Sequence, residues 1–112
     1  MKWQEDNFFQ YRFLQAKDRA KRKNISLEID ADFLKELWNK QEGKCFFSNI
    51  NMKKDRTGNY TGSLDRINSN MGYTKENVVF VLTIVNSMKN NLSEEEFFNL
   101  VEILYKNKRL KK

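Results

Sequence analysis

Two polar side chains interrupt apolar stretches of this chain where nothing local asks for them. Asp65 lies inside the run LDRI, and Asn86 lies in a segment whose other residues, Val81, Val85, Met88 and Leu92, recur at helical spacing. A carboxylate and an amide that both approach a core need a shared partner, such as a metal ion. The simpler alternative has Asp65 capping a turn and Asn86 hydrogen-bonding a neighbouring loop. There is no histidine anywhere in the chain. That removes the commonest general base, the commonest zinc ligand and every Ser-His or Cys-His device. Any hydrolytic chemistry must run through carboxylate, amide, tyrosine, lysine or a metal ion.

The elements that must position these groups can be read from the apolar periodicity. Residues 63–67 and Val78–Leu82 are rich in β-branched and aromatic types and read as two strands, with a polar loop of ten residues between them. A helix carrying Asn86 follows directly. Upstream, Phe9, Phe13, Ala16 and Ala20 predict a helix over residues 3–23, whose far end clusters Lys17, Arg19, Lys21, Arg22 and Lys23. Such a cluster suits the negative end of a helix dipole, serves as a solvated face, or meets phosphates. Ile25, Leu27 and Ile29 alternate with polar residues as an extended piece. Asp30 or Asp32 can cap the next helix, whose stripe is Phe33, Leu34, Leu37 and Trp38 and which Gly43 closes. Ser93 with Glu96 forms a capping box for a last helix, with Phe97, Leu100, Val101 and Leu104 expected on its core face. A basic tail, KNKRLKK, follows and is expected to be mobile and solubilising. A basic groove framed by the first helix and this tail is the expected binding path.

Composition bounds what these groups could serve. The 112 residues are expected to form one domain, with a helical part over 1–43, a core unit over 44–91 and a C-terminal helix and tail over 92–112. A 39% hydrophobic content that includes nine phenylalanines can build a compact core. A net charge of +6 favours polyanionic partners. The single cysteine, Cys45, excludes an intramolecular disulfide and is expected to be a buried thiol. Cys45 and Ser48 have the spacing of half a zinc knuckle, but no second pair follows and structural zinc is not expected. No run approaches the ~20 apolar residues of a membrane span. No signal-like segment opens the chain, and a cytoplasmic protein with no membrane partner is expected.

The run SLDRINSNMGYTKENVVFVLTIVNSMK resembles the ββα-metal core of the HNH endonuclease superfamily, in the form found in small phage and bacterial HNH-like proteins. The resemblance covers residues 44–91: the knuckle KCFFSN, then Leu64, Asp65, Arg66 and Ile67, then Gly72, Tyr73 and Thr74, then Asn77, and finally Asn86 with Lys89. It implies an α+β fold, with a two-stranded antiparallel hairpin plus helix flanked by N-terminal helices and a C-terminal helix. It also implies that Asp65 and Asn86 ligate one divalent cation, and that Asn77 holds the polar loop through side-chain to backbone hydrogen bonds. Oxygen ligands favour Mg²⁺ or Mn²⁺. Asn90, one helical turn beyond Asn86, is a further ligand or a phosphate contact, and Lys89 can offer a point charge to the same phosphate. Lys53, Lys54, Arg56 and Arg22 are the other expected nucleic-acid contacts.

The chain departs from the family where catalysis needs it most. The residue after the metal-binding Asp is normally the histidine base, and here it is Arg66, which can clamp a phosphate but cannot accept a proton. Tyr73 or Tyr60 is the candidate substitute. Leu82 and Val85 stand where a second cysteine pair would be, so packing has to replace a zinc staple. Two functions follow. One is a metal-dependent endonuclease hydrolysing phosphodiesters, DNA in particular, in a bacterial or phage-infected cell, with Asp65, Arg66, Asn77 and Tyr73 or Tyr60 as its catalytic group. The other is a catalytically silent module on the same fold that binds nucleic acid or protein, as a phage regulator or defence inhibitor would.

Overall fold

A computed structural model describes residues 7–109. It is an α+β arrangement of four helices and one two-stranded antiparallel sheet. The chain order is α1 (Phe8–Lys23), α2 (Ala31–Lys40), β1 (Gly62–Arg66), β2 (Val78–Leu82), α3 (Thr83–Lys89) and α4 (Glu94–Lys106). The expected helical residues 3–6 and the tail residues 110–112 lie outside the described part. Among the described residues no helix is long and apolar enough to cross a membrane.

The sheet pairs Gly62 with Leu82, Asp65 with Val79 and Arg66 with Val78. The first strand thus begins and ends one residue earlier than the apolar pattern suggests, although Ile67 N–H still donates to the Asn77 carbonyl (2.8 Å), the next step of the same register, before the chain bends into the polar loop. All five residues of β2 are buried. Its Phe80 meets Trp38 of α2 edge-on (5.1 Å between centroids) and stacks against Phe8 of α1 (6.2 Å), the aromatic centre of the core. Val81 belongs to this strand and not to the helical stripe, and Met88 is exposed on α3.

The outer edge of β2 needs partners for the backbone groups that β1 cannot reach. Gln41, just past α2, supplies them with its amide: Nε2 donates to the Phe80 carbonyl (2.9 Å) and Oε1 accepts from the Phe80 N–H (2.8 Å). Phe46 N–H also donates to the Phe80 carbonyl (3.0 Å), and Leu82 N–H donates to Cys45 Sγ (3.3 Å). The knuckle around Cys45 is therefore tied to the sheet by hydrogen bonds, with the thiol buried and free.

Caps fix the helix boundaries. Asp30, of the two candidates, accepts from Phe33 N–H (2.8 Å), and both halves of the Ser93–Glu96 capping box are formed. The expected core face of α4 is corrected beyond its first turn. Phe97 is buried against Phe47, but Leu100 is 44% and Leu104 59% exposed, because the helix runs past the body that should cover them.

The polar loop between the strands is seated on the segment after α1. Tyr73 N–H donates to the Ser26 carbonyl (2.9 Å), and Glu28 N–H donates to the Tyr73 carbonyl (2.7 Å). This contact is close because residue 72 is glycine: a Cβ there would lie 2.7 Å from Ser26 O and 2.8 Å from Ser26 N. Gly72→Ala is therefore expected to destabilise the fold by about 1–3 kcal/mol, through a forced backbone shift. Urea denaturation measures this, and unchanged stability would mean the loop does not rest on Ser26.

Candidate functional site

β1 carries Asp65 on the floor of a trough whose walls are α1 and the α3 end of the hairpin unit. Two adjoining cavities make up the trough, of about 290 and 220 Å³, and Arg19, Leu64, Tyr73 and Asn86 line both. Among the described residues Asp65 is the only carboxylate that lines either. Against it stand Arg19, Lys23 and Arg66 in the smaller cavity and Arg12, Arg19 and Arg56 in the larger.

Asp65 is 8% exposed and Lys89 2% exposed, and Lys89 Nζ stands 3.3 Å from Asp65 Oδ2. This is an ion contact without hydrogen-bond geometry, since Oδ2 has no hydrogen-bond partner. Burial pushes the Asp65 carboxyl above the usual carboxylate range, and the nearby Lys89 ammonium opposes that shift without cancelling it. Lys89 is thus sunk into the floor as the counter-ion of Asp65, not presented on the surface as the point charge expected for a phosphate. It can take this place because α3 packs on both strands, which turns its last turn inward.

The other expected residues divide by position. Asn86 lies on α3 between the two cavities, and its side-chain amide has no hydrogen bond within the described residues. Asn90 lines the smaller cavity but lies past the end of α3 with a positive φ of 50°, so helical spacing does not place it on the face of Asn86. Arg66 donates through Nη1 to the carbonyls of Ser69 (2.9 Å) and Met71 (3.0 Å), and its guanidinium lies 5.3 Å from the centre of the Tyr73 ring. Asn77 is buried behind the loop and lines neither cavity. Its Oδ1 accepts from Asn68 N–H (2.9 Å), while Nδ2 donates to the carbonyls of Asn68 (3.0 Å) and Gly72 (2.8 Å). Tyr73 is buried and faces the trough, whereas Tyr60 is 53% exposed and lines neither cavity. Arg22 is paired with Asp18 (2.9 Å) outside the trough. Lys54 lies over the Phe9 and Trp38 rings, and Lys53 is exposed away from both cavities. Of the loop cations, only Arg56 reaches the larger cavity.

Of the α1 wall, the sequence does not single out Arg12 at all, whereas Arg19 and Lys23 belong to the basic cluster able to meet phosphates, without a sign of which members face the trough. The signal for the last two is positional. Gln15, Arg19 and Lys23 recur every four residues beside the buried Ala16 and Ala20, so one helix face carries them together.

Among the described residues no group of three or more His, Cys, Asp or Glu side chains is placed to hold a metal ion. A cation that demands a full protein cage does not fit this floor. An ion that keeps most of its water fits only if Lys89 moves, since Asp65 Oδ2 is shut from solvent against Lys89 while Asn86 and Asn90 line the polar cavity. Lys89 would have to yield part of its contact with Oδ2 to such an ion. Fold and site together define a small α+β protein with a cationic trough over a buried Asp–Lys pair. In comparisons with known proteins, no family model, curated protein or solved structure matches the chain.

Proposed function

We propose that this chain holds the phosphodiester backbone of nucleic acid, DNA in particular, in the trough between α1 and the β1–α3 floor, and hydrolyses it as a metal-dependent endonuclease of the HNH-like type. The observation that carries this reading is the trough's charge. Cations line both cavities, and the lone carboxylate at the bottom keeps one oxygen without a hydrogen bond. Arg19 and Lys23, which pair with no carboxylate among the described residues, grip the phosphates on one wall. Arg66 spends Nη1 on the loop and keeps the rest of its fork for a phosphate oxygen. Asn77 holds the loop that carries Arg66's two acceptors, which makes it a positioning residue. Tyr73 is the trough-facing group able to hold or move a proton at its phenolic oxygen. A Mg²⁺ or Mn²⁺ held by Asp65, Asn86 and Asn90 would supply Lewis-acid polarisation of the phosphate.

A second reading is favoured by the Lys89–Asp65 contact. An ammonium at 3.3 Å already neutralises the carboxylate, and with no histidine in the chain the trough would bind nucleic acid without cutting it.

Supercoiled plasmid and single-stranded DNA, each with Mg²⁺, Mn²⁺ or EDTA, separate the two. The first reading expects nicking that EDTA abolishes and that falls by about 100-fold in Asn86→Ala, the scale of a lost positioning or electrostatic contact. Both readings expect a salt-sensitive gel shift whose salt dependence drops by about two phosphate contacts in Arg19→Ala/Lys23→Ala. A shift without cutting leaves the binding module, and no shift with any nucleic acid rejects both.

A further inference from the structure

The two cavities of the trough share a wall but differ in chemistry. The smaller, around Asp65, is almost wholly polar, whereas the larger mixes apolar and polar surface. Ala16 and Leu64 supply its apolar side, and Gln15, Thr57, Ser63 and Asn86 its polar one. At about 290 Å³ it has room for roughly ten water molecules, the scale of one nucleobase.

Its arginines do not make it a second phosphate site. The Arg12 guanidinium is spent on Gln15 and on the carbonyls of Gly62, Asp55 and Arg56. The Arg56 guanidinium lies 5.1 Å from the centre of the Tyr11 ring. Arg19 stands at the junction, lining both cavities. What the larger cavity offers instead is hydrogen-bonding groups beside an apolar surface. Gln15 uses Oε1 on Arg12 and keeps Nε2 without a partner among the described residues, and the Asn86 amide is likewise unengaged. Thr83 Oγ1 donates to the Thr61 carbonyl (3.0 Å), so the Ser63 hydroxyl donates to Thr83 and its oxygen is left as an acceptor. Donors and acceptors along the rim of a half-apolar slot are what a base requires, with its flat apolar face and polar edge.

We infer that the larger cavity receives one unpaired nucleobase, everted from the strand whose phosphate lies in the smaller cavity. The trough therefore takes single-stranded or locally unpaired nucleic acid in preference to duplex. This rests on the reading of the trough as a phosphodiester site. A nucleotide has the same two halves in the same adjacency, a charged phosphate and a base one sugar away. A paired base would first have to leave its stack, a cost that a single strand largely escapes.

Fluorescence anisotropy in EDTA tests the inference with three DNA ligands of one length. They are a single strand of mixed, non-self-pairing sequence, the same strand with every base replaced by an abasic tetrahydrofuran unit, and the paired duplex. The abasic strand keeps all the phosphates. The base-bearing strand should bind about tenfold more tightly than either of the others, the scale of one base contact. Gln15→Ala, at an exposed position, should weaken the base-bearing strand by about threefold or more and leave the abasic strand unchanged, as the loss of one hydrogen bond to a base would. Ser63→Phe, which fills the cavity, should bring the base-bearing strand down to the abasic level. An abasic strand or a duplex that binds as tightly as the base-bearing strand would overturn the inference and leave the phosphate reading standing, as would variants that weaken both single strands alike. No binding by any of the three would remove the phosphate reading and this inference with it.

Discussion

Lys89→Met is expected to lower the folding stability of this protein by about 3–5 kcal/mol at neutral pH, the usual result of removing one partner from a buried ion pair. Methionine nearly matches the aliphatic stem of lysine, so the loss reports the charge and not a cavity. Asp65, 8% exposed, is left with a carboxylate oxygen that already lacks a hydrogen bond and now lacks its counter-ion. Burial holds the Asp65 pKa above its ordinary value even with Lys89 in place, and without the ammonium it rises further. The folded variant then keeps a proton that the unfolded chain releases near its pKa of about 3.9. Its stability deficit should accordingly be small near and below pH 4, grow as the pH rises toward the folded-state pKa, and level off above it. Chemical denaturation across that range measures the trend. Asp65→Asn/Lys89→Met should recover a large part of the loss, since the double substitution leaves no charge to bury.

The same variant bears on the metal. A cation able to use Asp65 Oδ2 competes with Lys89 in the wild-type protein but not in Lys89→Met. Millimolar Mg²⁺ or Mn²⁺ should then raise the variant's melting temperature more than the wild type's, by the linkage of binding to the folded state alone. Equal, negligible shifts in both proteins would remove the cation from the site and favour the binding module.

The position of this pair marks the limit of what the chain reveals before folding. Asp65 and Asn86 are conspicuous because they break apolar patterns, and the strands, helices and caps around them follow local rules that read well in one dimension. Lys89 is not conspicuous. A lysine three residues from Asn86 reads as a surface charge, and only the docking of α3 across both strands turns it onto Asp65. Gln41 is similar: a polar residue at a helix end gives no sign that its amide will complete the edge of a strand 39 residues away. Among the cations at the end of α1, Arg22 and Arg19 look alike by type. Helical geometry separates them, sending Arg22 to Asp18 and Arg19 into the trough. For α4 the pattern showed an apolar face correctly but not what covers it, because periodicity records amphipathicity and not the extent of the body beneath.

Arg12 is the residue least legible in the sequence and, after Lys89, the one whose loss should matter most. It occupies a position of the buried α1 stripe, between Phe8 and Ala16, where a leucine would be expected. Its Nε donates to the Gly62 carbonyl (2.8 Å), Nη2 to the carbonyls of Asp55 and Arg56 (3.2 Å each), and Nη1 to Gln15 Oε1 (2.7 Å). One guanidinium thus ties α1 to the start of β1 and to the loop that carries Arg56. Burial lowers its pKa, but the group stays charged at any accessible pH. Arg12→Ala should destabilise the fold by about 2–4 kcal/mol, from several charge-assisted hydrogen bonds and the carbonyls left without donors. Arg12→Lys should recover less than half of this, because an ammonium is a single point and cannot span acceptors on three sides. Full recovery by lysine would show that charge alone matters there. Because α1 and the Arg56–Gly58 loop both line the larger cavity of the trough, Arg12→Ala should also weaken nucleic-acid binding at temperatures where the variant is still folded, although in this reading Arg12 holds that lining and not the ligand. Gel-shift titration beside denaturation separates the two effects: Arg19→Ala weakens binding with stability intact, whereas Arg12→Ala moves both, as expected of a residue that places the wall on which Arg19 stands.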